Sequence, residues 1–366
     1  MIGKRGRPAP PRRRQPTVDK RPSSQASFEK FKSRKPEAVK LSAESLVREG
    51  QLSAAQTLPL LMQPAAGRPD LAAWAAPHRE LIESRLVEHG AILFRGFRVE
   101  SAEQFQQFAS AVSSELLDYH ERAAPRLKVS DKVYTSTEFP PDQTIPLHHE
   151  MSYSHNWPSK LLFYCELPAP KGGQTPLADD RKVFRRLDPK IKEQFTRKKV
   201  MYVRNYGEGV DLSWEEAFQT DDRAVVEEYC RQAHTDFEWR AGNRLRTRQV
   251  RQAVATHPKT GETVWFNHAH MFHMSSFEPS FRESLLEVFT EEELPRNAFY
   301  GDGTRIETSV LDEIRGTYQE AAVSFPWERG DVLLVDNFLV SHGRAPYAGP
   351  RKVLVALTDL YTNKDF

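Results

Sequence analysis

The chain has 366 residues, 39% apolar and 28% charged, a balance that excludes fibrous and low-complexity classes and leaves one large soluble domain or two small ones. No run of 18 apolar residues is present to span a bilayer, and the basic N-terminus carries no apolar stretch, so neither membrane insertion nor a secretory signal is expected. The net charge of +2 is unevenly spread: residues 1–40 hold 13 Lys/Arg against three acids, and the remainder holds 39 basic and 47 acidic residues, a net of −8 that disfavours a nucleic-acid groove because phosphates would be repelled.

In chain order, residues 1–40 are rich in Arg, Lys, Pro and Ser with few bulky apolar side chains. Such a segment buries too little to offset its ordering entropy, so a disordered basic tail is expected before a folded domain over 41–366. A charge run of this kind is more often a solvated extension than a tether to RNA, an acidic partner or a membrane surface. Leu71–His89 has helical spacing, with Leu71, Trp74, Leu81, Ile82 and Leu86 on related faces and Gly90 as a stop. Ala91–Phe97 reads as a short apolar strand. Ser101–Leu117 reads as a second amphipathic helix through Phe105, Phe108, Val112 and Leu116. Lys132–Thr137 and Lys160–Cys165 read as strands, and the charged stretch 189–252 reads as helical. The last third returns to strands at Val264–Phe266, Val332–Val335 and Val353–Thr358, punctuated by Gly330, Gly343 and Gly349. Strands that pair far apart in sequence around a helical insert predict a mainly β fold with helical insertions, an antiparallel barrel or jelly roll. Cys165 and Cys230 give neither a disulfide framework nor a CxxC knuckle. They read as small buried side chains, and a reducing cytoplasm is the expected compartment.

The informative segment is Ile145–Tyr153. In a strand, residues two apart share a face, so His148 and Glu150 would project together. The same alternation sends His149 to the other face, in a packing or ligand-supporting role. A third ligand is available in His342, at the end of the strand that begins at Val332 and beside Gly343. Two imidazoles and one carboxylate on one face of an octahedral metal leave positions open for substrate and oxygen, as in non-haem Fe(II) oxygenases. A closed four-ligand set would instead be structural. An H-x-E tripeptide alone is common by chance, and a single histidine is more often a core or solvated residue than a ligand. The distal His in a glycine-bounded strand turn is what strengthens the reading. A second cluster, His268, His270 and His273, has no carboxylate at matching spacing and reads as a wall of the cavity.

These segments, with Ala91–Phe97, Tyr134–Pro140, Gly172–Pro176, Trp265–Asn267, Tyr300–Gly303, Gly330–Asn337, His342–Arg344 and Gly349–Arg351, occur in an order that resembles the taurine dioxygenase (TauD/TfdA) family. Within it, the sequence is most similar to the branch found in nonribosomal-peptide clusters and typified by the syringomycin aspartyl hydroxylase. The resemblance implies a double-stranded β-helix in which His148, Glu150 and His342 ligate Fe(II). It also implies 2-oxoglutarate as cosubstrate with O2, its distal carboxylate held by Arg351 and by the hydroxyl of Thr175. A planar guanidinium suits such a bidentate clamp. Candidate substrate contacts are Arg122, Arg126, His149, Asn267 and Arg344. The chain departs from taurine dioxygenase itself in having Glu150 where that enzyme has Asp, although Glu is usual in the peptide-cluster branch. It departs from the branch in having His149 where Asn is commoner, and alanines in Glu121–Arg126 where relatives show serines.

The implied reaction couples decarboxylation of 2-oxoglutarate to succinate with hydroxylation of an unactivated C–H bond, and the cofactor rather than a protein nucleophile carries the hard chemistry. No GxSxG or P-loop signature competes with it. Glu150 weighs against a halogenase, in which a small residue replaces the carboxylate so that chloride can bind. The substrate is expected to be a small amino-acid-like molecule, free or tethered to a carrier protein. The β-carbon of Asp or Asn, free Arg and a sulfonate are the candidates. The acidic body suits a cationic substrate better than it steers an acidic carrier protein. A reading of a different class is a catalytically inactive jelly-roll binding module whose basic tail binds RNA or a protein partner. A non-redox hydrolase ranks last, because no general base is visible beside the triad. Oligomeric state is not legible in the sequence.

Overall fold

Alternation of period two decides the architecture. Along Asn156–Leu167, Leu161, Phe163 and Cys165 enter one core while Leu162 and Tyr164 enter another. The same split recurs on both neighbours: Leu333 and Val335 oppose Val332 and Leu334, and Val353, Val355 and Leu357 oppose Leu354 and Ala356. Each strand is therefore covered on both faces, which is why these segments read as unbroken apolar runs. The computed structural model describes residues 3, 47–54, 56–118, 128–130, 132–136, 139–207 and 212–363, and Ser45–Phe366 forms one unit. Apart from Gly3, the expected tail over 1–40 lies outside the described residues.

The major sheet has eight strands in the order Val47–Gly50, Leu60–Pro64, Ala91–Phe94, Val332–Asp336, Asn156–Leu167, Lys352–Thr362, Val133–Thr135, Lys128–Ser130. All neighbours are antiparallel except Leu60–Pro64 against Ala91–Phe94. Its outer face is covered by helices that contribute Leu71, Trp74, Ile82, Leu86, Phe105 and Phe108. A three-stranded sheet, with Val340–Arg344 between Ile145–His148 and Leu177–Asp179, carries the residues of interest. Leu177 and Val340 from this sheet join Leu161, Phe163 and Val335 of the major sheet in one core. The fold is the double-stranded β-helix with helical insertions. Among the described residues no helix is long and apolar enough to cross a membrane.

Three elements differ from the sequence reading. The helix expected over Leu71–His89 is broken at Pro77 into Leu71–Ala75, a 3-10 turn at Ala76–His78, and Arg79–His89, because a proline ring cannot continue the hydrogen-bond ladder. Gly90 ends the last piece at φ +80°, the left-handed cap read from the sequence. The helix expected over Ser101–Leu117 is capped by the Ser101 side chain but spans only Ala102–Val112, since Ser113 turns extended and Leu116 bridges Thr358. The largest difference is 189–252. After the helix Pro189–Lys198 come Val200–Tyr206, two helices at Trp214–Phe218 and Arg223–Gln232, and the strands Asp236–Arg240 and Arg244–Arg251. With Arg296–Tyr300 these strands make a four-stranded sheet. Arginines hid the alternation: Arg204, Arg246 and Arg251 are buried, their long stems serving as apolar surface.

Candidate metal centre

The strands Ile145–His148 and Val340–Arg344 run antiparallel with His342 directly opposite His148. Cross-strand partners on one face lie side by side, and the two imidazole rings stand 4.4 Å apart between centroids. His148 Nδ1 is 2.8 Å from the Pro146 carbonyl. A carbonyl only accepts, so Nδ1 carries the proton and Nε2 keeps its lone pair for a metal. Glu150 Oε2 lies 4.0 Å from His342 Nε2, and one donor atom from each of His148, Glu150 and His342 falls within 4.8 Å of the others. Glu150 and His342 are buried and His148 is half-buried. Two imidazole nitrogens and one carboxylate, with the remaining side open, suit a non-haem Fe(II) ion. The residues meet by a different local route from the one expected. The strand ends at His148, and Glu150 lies in the turn that follows, where Met151 takes φ +59°.

That turn is held by Asn337, which is fully buried at the end of the strand Val332–Asp336. Its Oδ1 accepts from the Glu150 N–H at 2.8 Å, and its Nδ2 donates to the carbonyls of Glu150 and Pro158 at 3.0 and 2.8 Å. Its own carbonyl stands 2.6 Å from His149 Nδ1. The His149 ring is fully buried against Phe266, and Nε2 stands 3.2 Å from Asp180 Oδ1. Burial opposes a charge on this ring, but the Asp180 carboxylate and the carbonyls of Asn337 and Trp265 outweigh it and hold the His149 pKa above the ordinary value.

The second histidine cluster supports the first. His268 packs 5.5 Å from the His148 ring, its Nδ1 2.6 Å from Ser152 Oγ. His270 Nε2 donates to the Leu147 carbonyl at 2.9 Å, and His273 Nδ1 pairs with Ser275 Oγ. Burial pushes His268 well down, His270 to about 3 and His273 to about 4, so all three are neutral near pH 7. Among the described residues only His148, Glu150 and His342 form a group fit to hold a metal.

A narrow cavity runs from His148 and His342 past Phe163 to Ser136, Thr175 and Arg351. Arg351 Nε donates to the Gly173 carbonyl at 3.0 Å and Nη1 to Ser136 Oγ at 3.3 Å. The chain passes so close that a Cβ on Gly173, at φ +73°, would sit 3.0 Å from Arg351 Cδ. Trp327 Nε1 donates to Thr175 Oγ1 at 3.1 Å, which leaves the hydroxyl proton free to point elsewhere. Burial, with the charge of Arg344 nearby, pushes Arg351 down to about 10. It remains a cation at neutral pH, and an anionic group placed beside it would relieve the strain.

The residues expected to contact substrate fare differently. His149 is sealed behind Glu150. Asn267 is fully buried as a local brace, donating to the Ala253 carbonyl and accepting from Ala269 N–H. Arg344 lines the cavity, but its guanidinium is committed to the carbonyls of Phe139, Pro140 and Gln143, at 2.9, 2.6 and 2.9 Å. In this structure the polar groups of His149 and Asn267 are engaged inside the protein, while Arg344 combines backbone contacts with a place in the cavity wall. Arg122 and Arg126 lie outside the described residues. Asn337, Asp180, Trp327 and Ser136 were not singled out from the sequence. For Asn337 and Ser136 the available signal was their place inside the segments Gly330–Asn337 and Tyr134–Pro140 that carry the resemblance; Asp180 and Trp327 lie outside all of those segments.

The profile of the taurine catabolism dioxygenase TauD, TfdA family matches residues 58–358. The dapdiamide synthesis protein DdaC of Enterobacter agglomerans is 45% identical over 278 residues, covering 76% of this chain and 84% of that protein. A clavaminate synthase-like protein of Arabidopsis thaliana is 34% identical over 294 residues, with the same coverage of 76% and 84%. The PvcB protein of Pseudomonas aeruginosa superposes with a TM-score of 0.51 at 17% identity, over 87% of this chain and 93% of that one.

Proposed function

Because the chain belongs to the TauD/TfdA family of Fe(II)- and 2-oxoglutarate-dependent dioxygenases, we propose that it hydroxylates a small amino-acid-like substrate in specialised biosynthesis, with His148, Glu150 and His342 as the iron ligands. One observation carries the reading. The two-imidazole, one-carboxylate group opens onto a cavity that ends at a buried guanidinium, Arg351, beside the Thr175 hydroxyl. That is a metal face and an anion clamp joined by one channel, which suits a chelating keto acid with a second carboxylate. Bound iron with 2-oxoglutarate and O2 supplies the oxidising power for C–H hydroxylation. The protein's part is to orient and to exclude water: Phe163 and Val353 wall the channel, while Trp327 and Ser136 fix the Thr175 and Arg351 donors. A carboxylate at position 150 favours hydroxylation over chlorination.

The place in specialised biosynthesis is supported by the 45% identity to a protein named for dapdiamide synthesis. The substrate is an amino acid or a derivative of one, either free or joined to a carrier protein. The test is succinate release from purified protein with Fe(II) and 2-oxoglutarate, across free amino acids and the same amino acids loaded on a carrier. Release is expected to depend on both iron and one substrate class, and to fall to background in His148→Ala and His342→Ala. Succinate formation that persists in both variants overturns the metal assignment. Turnover only with loaded carrier, or only with free amino acid, decides the tethering.

A further inference from the structure

The middle residue of the His148–Glu150 segment is a buried histidine facing a buried aspartate, a pairing that the iron chemistry itself does not require. His149 and Asp180 are both fully buried, at 0% exposure. His149 Nδ1 faces the Asn337 carbonyl at 2.6 Å, so it carries a proton. Nε2 stands 3.2 Å from Asp180 Oδ1, a close polar contact between two fully buried side chains.

Asp180 is itself fastened to the opposite ligand strand. Its N–H donates to the Leu339 carbonyl at 2.8 Å, and its Oδ2 accepts from the Ser341 N–H at 2.8 Å. Ser341 adjoins His342, as His149 adjoins both His148 and Glu150. A single side-chain contact therefore spans from the turn that presents the carboxylate ligand to the strand that presents the distal imidazole. The Tyr318 hydroxyl donates to Asp180 Oδ1 at 2.8 Å and also meets the Ser341 side chain on the strand that carries His342. A polar pair taken out of water is a costly way to obtain stability and a better way to fix register, because removing one partner strands the other.

We propose that His149 and Asp180 are positioning residues: a buried side-chain pair that ties the turn carrying Glu150 to the strand carrying His342 and so sets the spacing of the metal ligands. This rests on the metal site proposed above. Such support behind ligands typically changes metal affinity by about 10- to 100-fold.

The experiment titrates metal-free full-length protein with Co(II), reading affinity and the visible absorption of the bound ion, and measures Tm without metal. KM for 2-oxoglutarate is measured separately. His149→Asn and Asp180→Asn are each expected to weaken Co(II) by about tenfold or more and to alter its absorption bands. The double variant is expected to be no worse than the weaker single, since the two act as one unit. KM for 2-oxoglutarate should stay within about threefold, because Arg351 and Thr175 are untouched. Leu86→Ala, in the separate core on the outer face of the major sheet, should lower Tm and leave Co(II) affinity and bands as in the wild type, which separates loss of stability from loss of positioning. If Asp180→Asn does not fold, His149→Asn carries the same readout. Unchanged Co(II) affinity in the folded single variants, or effects that multiply in the double, overturns the proposal while leaving the metal site intact. Failure of the wild type to bind Co(II) at all overturns the metal site itself.

Discussion

Arg351 and Thr175 make opposite demands on a substitution. The guanidinium is pinned by Gly173 and Ser136 at the end of the channel, and Lys at this position keeps the charge but loses the planar fork. Arg351→Lys is expected to raise KM for 2-oxoglutarate by about 10- to 100-fold, the usual worth of a charged hydrogen bond, with metal affinity unchanged. Thr175→Val removes one neutral donor and strands the Trp327 indole N–H, so a smaller rise together with a loss of about 1–2 kcal/mol in stability is expected from steady-state kinetics and urea unfolding. Asn337→Ala leaves the Glu150 N–H and the Pro158 carbonyl without their partner in a dry interior. It should cost roughly 2–4 kcal/mol by urea unfolding. At this scale the sequence was legible where a residue's own chemistry announces its use. Residue type and spacing pointed to His148, Glu150 and His342, and the resemblance pointed to Thr175 and Arg351; the fold groups the first three and places Thr175 and Arg351 along the cavity that His148 and His342 line. Asn337, Asp180 and Trp327 are ordinary residue types whose meaning depends on which strand end lies beside them, and no spacing states that.

The ligand strands approach each other at a glycine. A Cβ on Gly343 would lie 2.6 Å from the Ile145 carbonyl oxygen and 3.2 Å from the Pro146 carbonyl carbon, both backbone atoms with no rotamer to yield. Gly343→Ala therefore has to push Ile145–His148 away from Val340–Arg344, the two strands that hold His148 and His342 abreast. A loss of about 1–3 kcal/mol is expected from the overpacking, with metal affinity falling by about tenfold or more. Thermal unfolding and metal titration of the variant read the two effects apart. The major-sheet strands were legible because burial on both faces leaves plain runs such as Val332–Val335. The four-stranded sheet was not, because Arg244–Arg251 alternates arginines with polar and apolar residues in a way that resembles a charged helix. The ligand turn is the subtler case. Period-two reasoning paired His148 with Glu150, and their donor atoms do lie together, yet the strand had already ended, and it is Asn337 that holds the Glu150 backbone in the turn.

Across the molecule, buried histidines set the response to acid. His270 and His273, at about 3 and about 4 in the folded state, bind protons near 6.5 once unfolded. The unfolded chain then binds more protons, so stability is lost as pH falls from about 6.5 toward 4. His149 acts in the opposite sense, since its raised pKa gives stability that is present below the ordinary value and lost as pH rises through the raised one. Urea unfolding at a series of pH values should show the acid loss, and His270→Gln should flatten it. The jelly-roll class was legible from strands that pair across long stretches of sequence, but their partners were not, because register is decided by cores that form only when distant segments meet.

The antiparallel neighbours that hold His148 and His342 have a consequence for the protein's birth. A nascent chain emerging from the ribosome exposes His148 and Glu150 long before position 342 has been translated, and the strand Val340–Arg344 is among the last to appear. Until then, two donors with no third offer iron only a weak and fleeting hold. On the proposed ligand set, firm loading waits until position 342 has been made, so a product truncated before that strand is expected to bind iron only weakly.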